Sequence, residues 1–198
     1  MATDYSQGRP VAKPVTPARL ERIALFYLER FPASTEGLRR VLMRRVERSV
    51  RAHDTDRAQA ATWVEAVLTR LQASGLLDDR VFAEGKARAL FRRGDPPGLI
   101  RRALTARGVG TEAIDAALAE VLEHSEDPEH EAALAYCRRR RLGPFRLDPA
   151  SRPANHRKDL AALARHGFSR AVALRVLDLD DDGAGGEGGL TITPSFWA

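Results

Sequence analysis

Leu38–Val46 reads LRRVLMRRV, Ile100–Val109 reads IRRALTARGV and Asp159–Phe168 reads DLAALARHGF. In each stretch apolar residues recur at helical spacing with a basic residue close behind, and aligning Leu42, Leu104 and Leu163 puts Arg45, Arg107 and His166 in one column. Val46, Val109 and Phe168 then close each segment after a turn or near-turn. One helical module used three times accounts for the pattern. Its period of about 60 residues exceeds the usual solenoid periods, so each unit is expected to hold about three helices stacked on its neighbours.

The flanking chain supplies the remaining helices. Thr16 and Pro17 form a cap and first-turn pair, and Leu20, Ile23, Ala24, Tyr27, Leu28 and Phe31 follow on one helical face. Pro32 ends that helix. Ser34 or Thr35 caps the next, in which Leu38, Val41, Leu42 and Val46 face inward. A third helix from about Asp56 buries Ala60, Val64, Val67, Leu68 and Leu71 and stops at Gly75. Asp78 or Asp79 opens a helix ended by Gly94, Asp95 and Pro96 start another, and Thr111 caps a third that carries Ile114, Ala117, Leu118, Val121 and Leu122. Asp127 and Pro128 open the last triplet, which runs through Tyr136, a long loop over 143–153 with three prolines, and helices over about 155–165 and 169–179. No window alternates with period two over a strand's length. The predicted fold is therefore all-α: three tandem three-helix repeats over 16–76, 77–125 and 126–179, stacked into an elongated curved array. A disordered arm over 1–15 and a flexible Gly-rich acidic tail over 180–198, ending near Phe196 and Trp197, are expected at either end.

Charge separates body from tail. The formal charge is +5, and the last 23 residues carry five carboxylates and no basic residue, which leaves +10 on the rest. Of 32 basic residues only Lys13, Lys86 and Lys158 are lysines. Arginine offers a planar fork suited to phosphate or carboxylate, although arginine excess is also what a GC-rich genome writes. A body this basic is expected to meet phosphates or an acidic protein face.

The chemistry of catalysis is missing from the sequence. No phosphate-cradling glycine loop, metalloprotease helix or nucleophile elbow occurs. His124 and His130, beside Glu123 and Glu126, straddle a helix junction and read as a solvated capping segment. A tight metal site needs three or four converging ligands. Asp78 and Asp79 are adjacent, so a helix would point them to different sides, and helix-start capping suits them better than paired acid–base work. Cys137 is the only cysteine, which excludes an internal disulfide, and it reads as a packing residue. No apolar run is long enough to span a bilayer, and a cytoplasmic protein without catalytic residues, metal or cofactor is expected.

The arginines cluster. Residues 39–51 hold Arg39, Arg40, Arg44, Arg45, Arg48 and Arg51 against Glu47 alone, Arg92, Arg93, Arg101 and Arg102 bracket the Gly94–Gly98 turn, and Arg138–Arg141 run consecutively. Stacked modules would line these clusters into a discontinuous basic stripe. Such a stripe tracks a phosphate backbone without reading bases, since few aromatics are interleaved for stacking. The residues expected to contact nucleic acid or a protein partner are Arg39, Arg40, Arg44, Arg45, Arg48, Arg101, Arg102, Arg107, Arg138, Arg139 and Arg140.

Gly75-Leu76-Leu77-Asp78-Asp79 followed by Phe82-Ala83, then Ile100–Val109 with its Arg107-Gly108-Val109 ending, resembles the RecX family of recombination regulators. The opening at Ala24–Arg30 and the LRRVLMRR run at Leu38–Arg45 fit the same family pattern, so the resemblance covers roughly 18–178. It departs at Val46-Glu47-Arg48-Ser49, where many members have a glycine turn, in the long third-repeat loop and in the tail. The resemblance implies a nine-helix, three-repeat protein that binds the RecA recombinase filament on DNA. It implies a monomeric, non-enzymatic regulator of homologous recombination and DNA repair that restrains RecA's ATP hydrolysis, strand exchange and coprotease activity. Its partners would be the RecA filament and single- and double-stranded DNA, held mostly through phosphates, with no membrane. The alternative is a helix-turn-helix-like transcription regulator, disfavoured because no single recognition helix stands apart.

Overall fold

The computed structural model describes residues 14–53, 55–123 and 125–179, and every regular element among them is helical. In order these are α1 (Pro17–Leu28), α2 (Thr35–Ala52), α3 (Arg57–Ala73), α4 (Asp79–Arg92), α5 (Pro97–Thr105), α6 (Thr111–Leu122), α7 (Pro128–Arg140), α8 (Arg152–His166) and α9 (Arg170–Leu177). Two short 3-10 turns, Gly143–Phe145 and Pro149–Ser151, lie in the long loop before α8. Residues 1–13 of the arm expected over 1–15, the tail over 180–198 and His124 lie outside the described residues.

Helices start where a short polar side chain accepts first-turn amides that lack a partner of their own. Thr16 Oγ1 accepts the Arg19 amide at 3.3 Å just ahead of Pro17. Asp56 Oδ1 accepts the amides of Ala58 and Gln59 at 2.8 and 3.2 Å, and Asp127 Oδ1 that of His130 at 3.1 Å. Thr111 does not cap α6. It is that helix's first residue, and Gly110 holds the cap position without a side-chain bond.

The described residues fall into two compact units, one within Met1–Arg88 and Arg101–Glu123, the other within Ala89–Ile100 and His124–Ala198. The helix order is consistent with three triplets, while packing divides the middle one. In the first unit α1, α2 and α3 enclose Leu20, Ala24, Leu38, Leu42, Val46, Val64 and Leu68, none more than 1% exposed. Removing any of these leucines would leave a cavity costing about 2–5 kcal/mol. No turn follows Val46, because α2 continues to Ala52 and turns both Val46 and Ser49 into the core. Ser49 Oγ accepts the Val15 amide at 3.1 Å, and Val15 is only 6% exposed, so the chain is docked before the expected boundary at residue 16. Phe31, assigned by its spacing to the buried face, is 54% exposed because α1 ends at Leu28.

In the second unit α7, α8 and α9 bury Ala133, Cys137, Leu163, Ala173 and Val176. The turn at Gly94 belongs here for a steric reason. A Cβ on Gly94 would stand 2.4 Å from the Tyr136 nitrogen and 2.8 Å from the Ala132 oxygen, so only glycine lets this turn seat on α7. Asp95, expected simply to start the next helix, is 1% exposed and ion-paired with Arg93, and it lies 2.9 Å from His166 Nε2. The His166 ring in turn stacks on Tyr136 at 4.1 Å. The long loop is fixed by Asp159, 2% exposed, which accepts the Gly143 amide at 2.9 Å and Arg146 Nε at 2.8 Å.

Candidate nucleic-acid interface

Both halves of the glycine–aspartate motif converge on the start of α2. Asp78 Oδ1 accepts the amides of Arg80 and Val81 at 2.8 and 3.2 Å and so caps α4. Asp79 does not cap its own helix. Its Oδ1 accepts the Thr35 amide at 2.6 Å, satisfying an orphan donor at the head of α2. From the other side Ser34 Oγ donates to the Arg107 carbonyl at 2.6 Å and Arg40 Nη1 to the Ala106 carbonyl at 3.1 Å. Gly108, at φ +74°, presses so closely that a Cβ would lie 2.4 Å from the Cβ and Cγ of Glu36. These residues build the first unit. The Arg107 guanidinium is half-buried and donates to the Ala103 carbonyl at 2.7 Å on its own helix.

Carboxylates occupy part of the arginine cluster. Arg39 pairs with Glu36 at 2.6 Å and grips Glu65 through Nε and Nη2 at 2.7 and 2.9 Å, while Arg40 reaches Glu36 at 2.9 Å. The Arg39 hydrogen bond, with Arg40 adding to it against the effect of burial, holds the Glu36 carboxyl below its ordinary 4.5. Arg39 is raised, first by Glu65 and then by Glu36. Glu21 is held by Arg70 at 2.9 Å and Glu47 by Arg57 at 2.7 Å.

What these pairs leave over is concentrated on the outer side of α1 and α2. Arg44, Arg45 and Arg48 are exposed, and Arg48 Nε reaches only the Arg44 carbonyl, at 3.3 Å. Arg19, Arg22, Ile23, Phe26 and Arg45 line a groove of about 470 Å³ between the two helices. Among the described residues no carboxylate pairs with Arg19, Arg22, Arg44, Arg45 or Arg48. Partial burial, then Arg48, Arg19 and Arg44 in that order, push the Arg45 guanidinium down. A bound phosphate would offset both the like-charge crowding and the cost of desolvating the charged form. Phe26 stands 58% exposed at the groove, with the Arg30 guanidinium 3.7 Å from its ring centroid.

The sequence clusters missed Arg19, Arg22 and Phe26 because these residues are scattered singly along α1. Their spacing of i, i+3 and i+7 on the helix side opposite Leu20 and Ala24 is the signal that would have found them. Of the other predicted contacts, Arg101 pairs with Asp115 at 2.6 Å, while Arg102 is exposed. In the second unit Arg138 lies 5.1 Å over Phe145, Arg139 lies 5.6 Å over Tyr136, and Arg140 is exposed at the end of α7. Burial pushes the Cys137 thiol up to about 12, which removes it from thiolate chemistry at neutral pH. Among the described residues no three His, Cys, Asp or Glu side chains gather as metal ligands, and no helix is long and apolar enough to cross a membrane.

Residues 78–118, the span of α4 and most of α5–α6, match the family model described as RecX, second three-helix domain. The chain is 42% identical over 172 residues to the regulatory protein RecX of Myxococcus xanthus (strain DK1622), covering 87% of this chain and 91% of the relative. It is 35% identical to the regulatory protein RecX of Halorhodospira halophila (strain DSM 244 / SL1) over 77% of this chain and 87% of that one. A crystal structure of a regulatory protein RecX shares the fold, with a TM-score of 0.56 at 24% identity over 82% of this chain and 72% of that one. Two relatives above 30% identity, matched over 91% and 87% of their length, a matching domain and a shared helical fold agree, and the chain belongs to the RecX family of regulatory proteins.

Proposed function

We propose that this protein is a non-enzymatic regulator of homologous recombination and DNA repair, which binds the RecA–DNA filament and restrains RecA's ATP hydrolysis, strand exchange and coprotease activity. Family membership supports the regulatory role. The observation that carries the contact is the set of α1 and α2 arginines that pair with no carboxylate among the described residues, a patch of positive charge beside helices otherwise laced with ion pairs. Such a patch attracts the phosphates of a filament-bound strand through counterion release. Arg44, Arg45 and Arg48 carry the contact, with Arg19 and Arg22 across the groove. Arg39 and Arg40 serve mainly to hold Glu36 and Glu65. Arg102 and the Arg138–Arg140 run are secondary contacts.

The test is single-stranded-DNA-dependent ATP hydrolysis by the cognate RecA with this protein titrated below one copy per protomer. Inhibition at such ratios is the expected result, since competition for DNA alone would need far more protein. No inhibition at equimolar folded protein, together with tight sequence-specific duplex binding, would replace this reading with that of a transcription regulator.

A further inference from the structure

We infer that the α1–α2 groove is a site for unpaired nucleic acid, in which Arg19, Arg22 and Arg45 take backbone phosphates and the open face of Phe26 stacks on a base. The inference rests on the reading that this surface meets a nucleic-acid strand, and adds which form of strand it selects.

Three observations converge on it. The arginines come from two helices and face one cleft, so a chain of phosphates threading between α1 and α2 meets charge from both walls. The cleft's volume of about 470 Å³ falls in the range of sites that hold small organic groups, enough for a nucleotide unit and more than a bare ion needs. Phe26 is the aromatic side chain lining it, and it is 58% exposed on a helix whose inward face is filled by Leu20 and Ala24. Burial in the fold therefore does not explain an aromatic at this position. The Arg30 guanidinium covers one face of the ring at 3.7 Å and is steadied there by a hydrogen bond from Arg30 Nη1 to the Phe26 carbonyl at 3.5 Å, while more than half of the residue stays exposed.

That geometry discriminates between partners. A base offers its flat face to an aromatic ring only when it is unstacked, so a duplex gains from the arginines alone and a single strand gains from both. An acidic protein surface would pair with the arginines and leave the exposed ring unused. The phosphate contacts make binding salt-dependent, while the stacking contact does not depend on salt.

The experiment measures binding of the full chain to a dye-labelled oligothymidylate and to a duplex of equal length, by anisotropy across a salt series. The proteins are wild type, Phe26→Ala, Phe26→Trp and Arg45→Gln. Phe26→Ala is expected to weaken single-strand binding at least about fivefold with an unchanged salt slope, and to leave duplex binding as it was. Phe26→Trp keeps wild-type binding, and in a Trp197→Phe background the oligonucleotide quenches its fluorescence beyond any change in the same background with Phe26 retained, a readout that a merely structural role for residue 26 would not give. Arg45→Gln flattens the single-strand salt slope by about 0.7. Equal loss on both substrates, no loss on either, or a tryptophan that the strand does not quench would each overturn the site. Loss of RecA binding by Phe26→Ala with strand binding intact would overturn it in favour of a protein contact. The RecA ATPase titration separates the two readings, because wild-type protein that discriminates strands without inhibiting RecA keeps this site and loses the regulatory one.

Discussion

Replacing Gly108 by alanine tests whether the Arg107-Gly108-Val109 turn is there to dock on α2. Gly108 and Gly75 have nearly the same φ, +74° and +72°, but different surroundings. A Cβ on Gly75 meets nothing within 4 Å, whereas one on Gly108 would stand 2.4 Å from the Cβ and Cγ of Glu36. Glu36 cannot simply swing away, because Arg39 and Arg40 hold its carboxylate at 2.6 and 2.9 Å. Left-handed backbone costs a residue with a Cβ about 1–2 kcal/mol, and both variants carry that cost. Gly108→Ala adds the overpacking, about 1–3 kcal/mol. For a chain of this size each kcal/mol lowers the melting midpoint by about 2–4 °C, so Gly108→Ala is expected to melt about 2–12 °C below Gly75→Ala. Trp63, packed on the first unit's core, reports the transition by fluorescence once Trp197 is replaced by phenylalanine. Coincident midpoints for the two variants would refute the docking argument, since the shared backbone strain would then be the whole effect.

Three further outcomes are expected. The Glu36 and Glu65 carboxyls are depressed in the fold, first by the Arg39 hydrogen bonds, so their contribution is present above the ordinary 4.5 and lost as pH falls below it. Acid titration of stability should show this loss in wild type and a smaller one in Arg39→Gln; identical pH profiles would count against it. Asp159→Asn should cost about 3 kcal/mol in urea unfolding and speed exchange of the Gly143 amide, because a buried carboxylate holding Arg146 and that amide is removed. Unaltered exchange would mean the loop is held elsewhere. Cys137, buried with its thiol pushed up to about 12, should resist a disulfide reagent at pH 8 until the protein unfolds, whereas rapid native labelling would contradict its burial.

Local chemistry was legible in the sequence and long-range chemistry was not. Thr16-Pro17, Asp56 and Asp127-Pro128 announce helix starts because a cap and its amides lie within three residues of each other. Leu42, Leu104 and Leu163, aligned from the repeat alone, are all fully buried. The column beside them is another matter. Arg45 is exposed, Arg107 bonds its own helix and His166 meets Asp95, so a shared register does not create a shared surface. Asp95 reads locally as a helix starter because His166, one of its two partners, stands 71 residues away. The arginine runs raise the same difficulty. Density along the chain singled out Arg39 and Arg40, and only the fold shows Glu65 reaching back to neutralise the first. Conversely Arg19, Arg22 and Phe26, sparse in sequence, are brought together with Arg45 by the packing of α1 beside α2.

The most direct test of the account is RecA's single-stranded-DNA-dependent ATPase titrated side by side with wild-type protein and with Arg19→Gln/Arg22→Gln/Arg45→Gln. Wild type should inhibit well below one copy per RecA protomer, and the triple variant, folded by circular dichroism, should need several times more protein for the same inhibition. Equal inhibition by both would remove the α1–α2 surface from the mechanism, and no inhibition by wild type at equimolar protein would contradict the regulatory role itself.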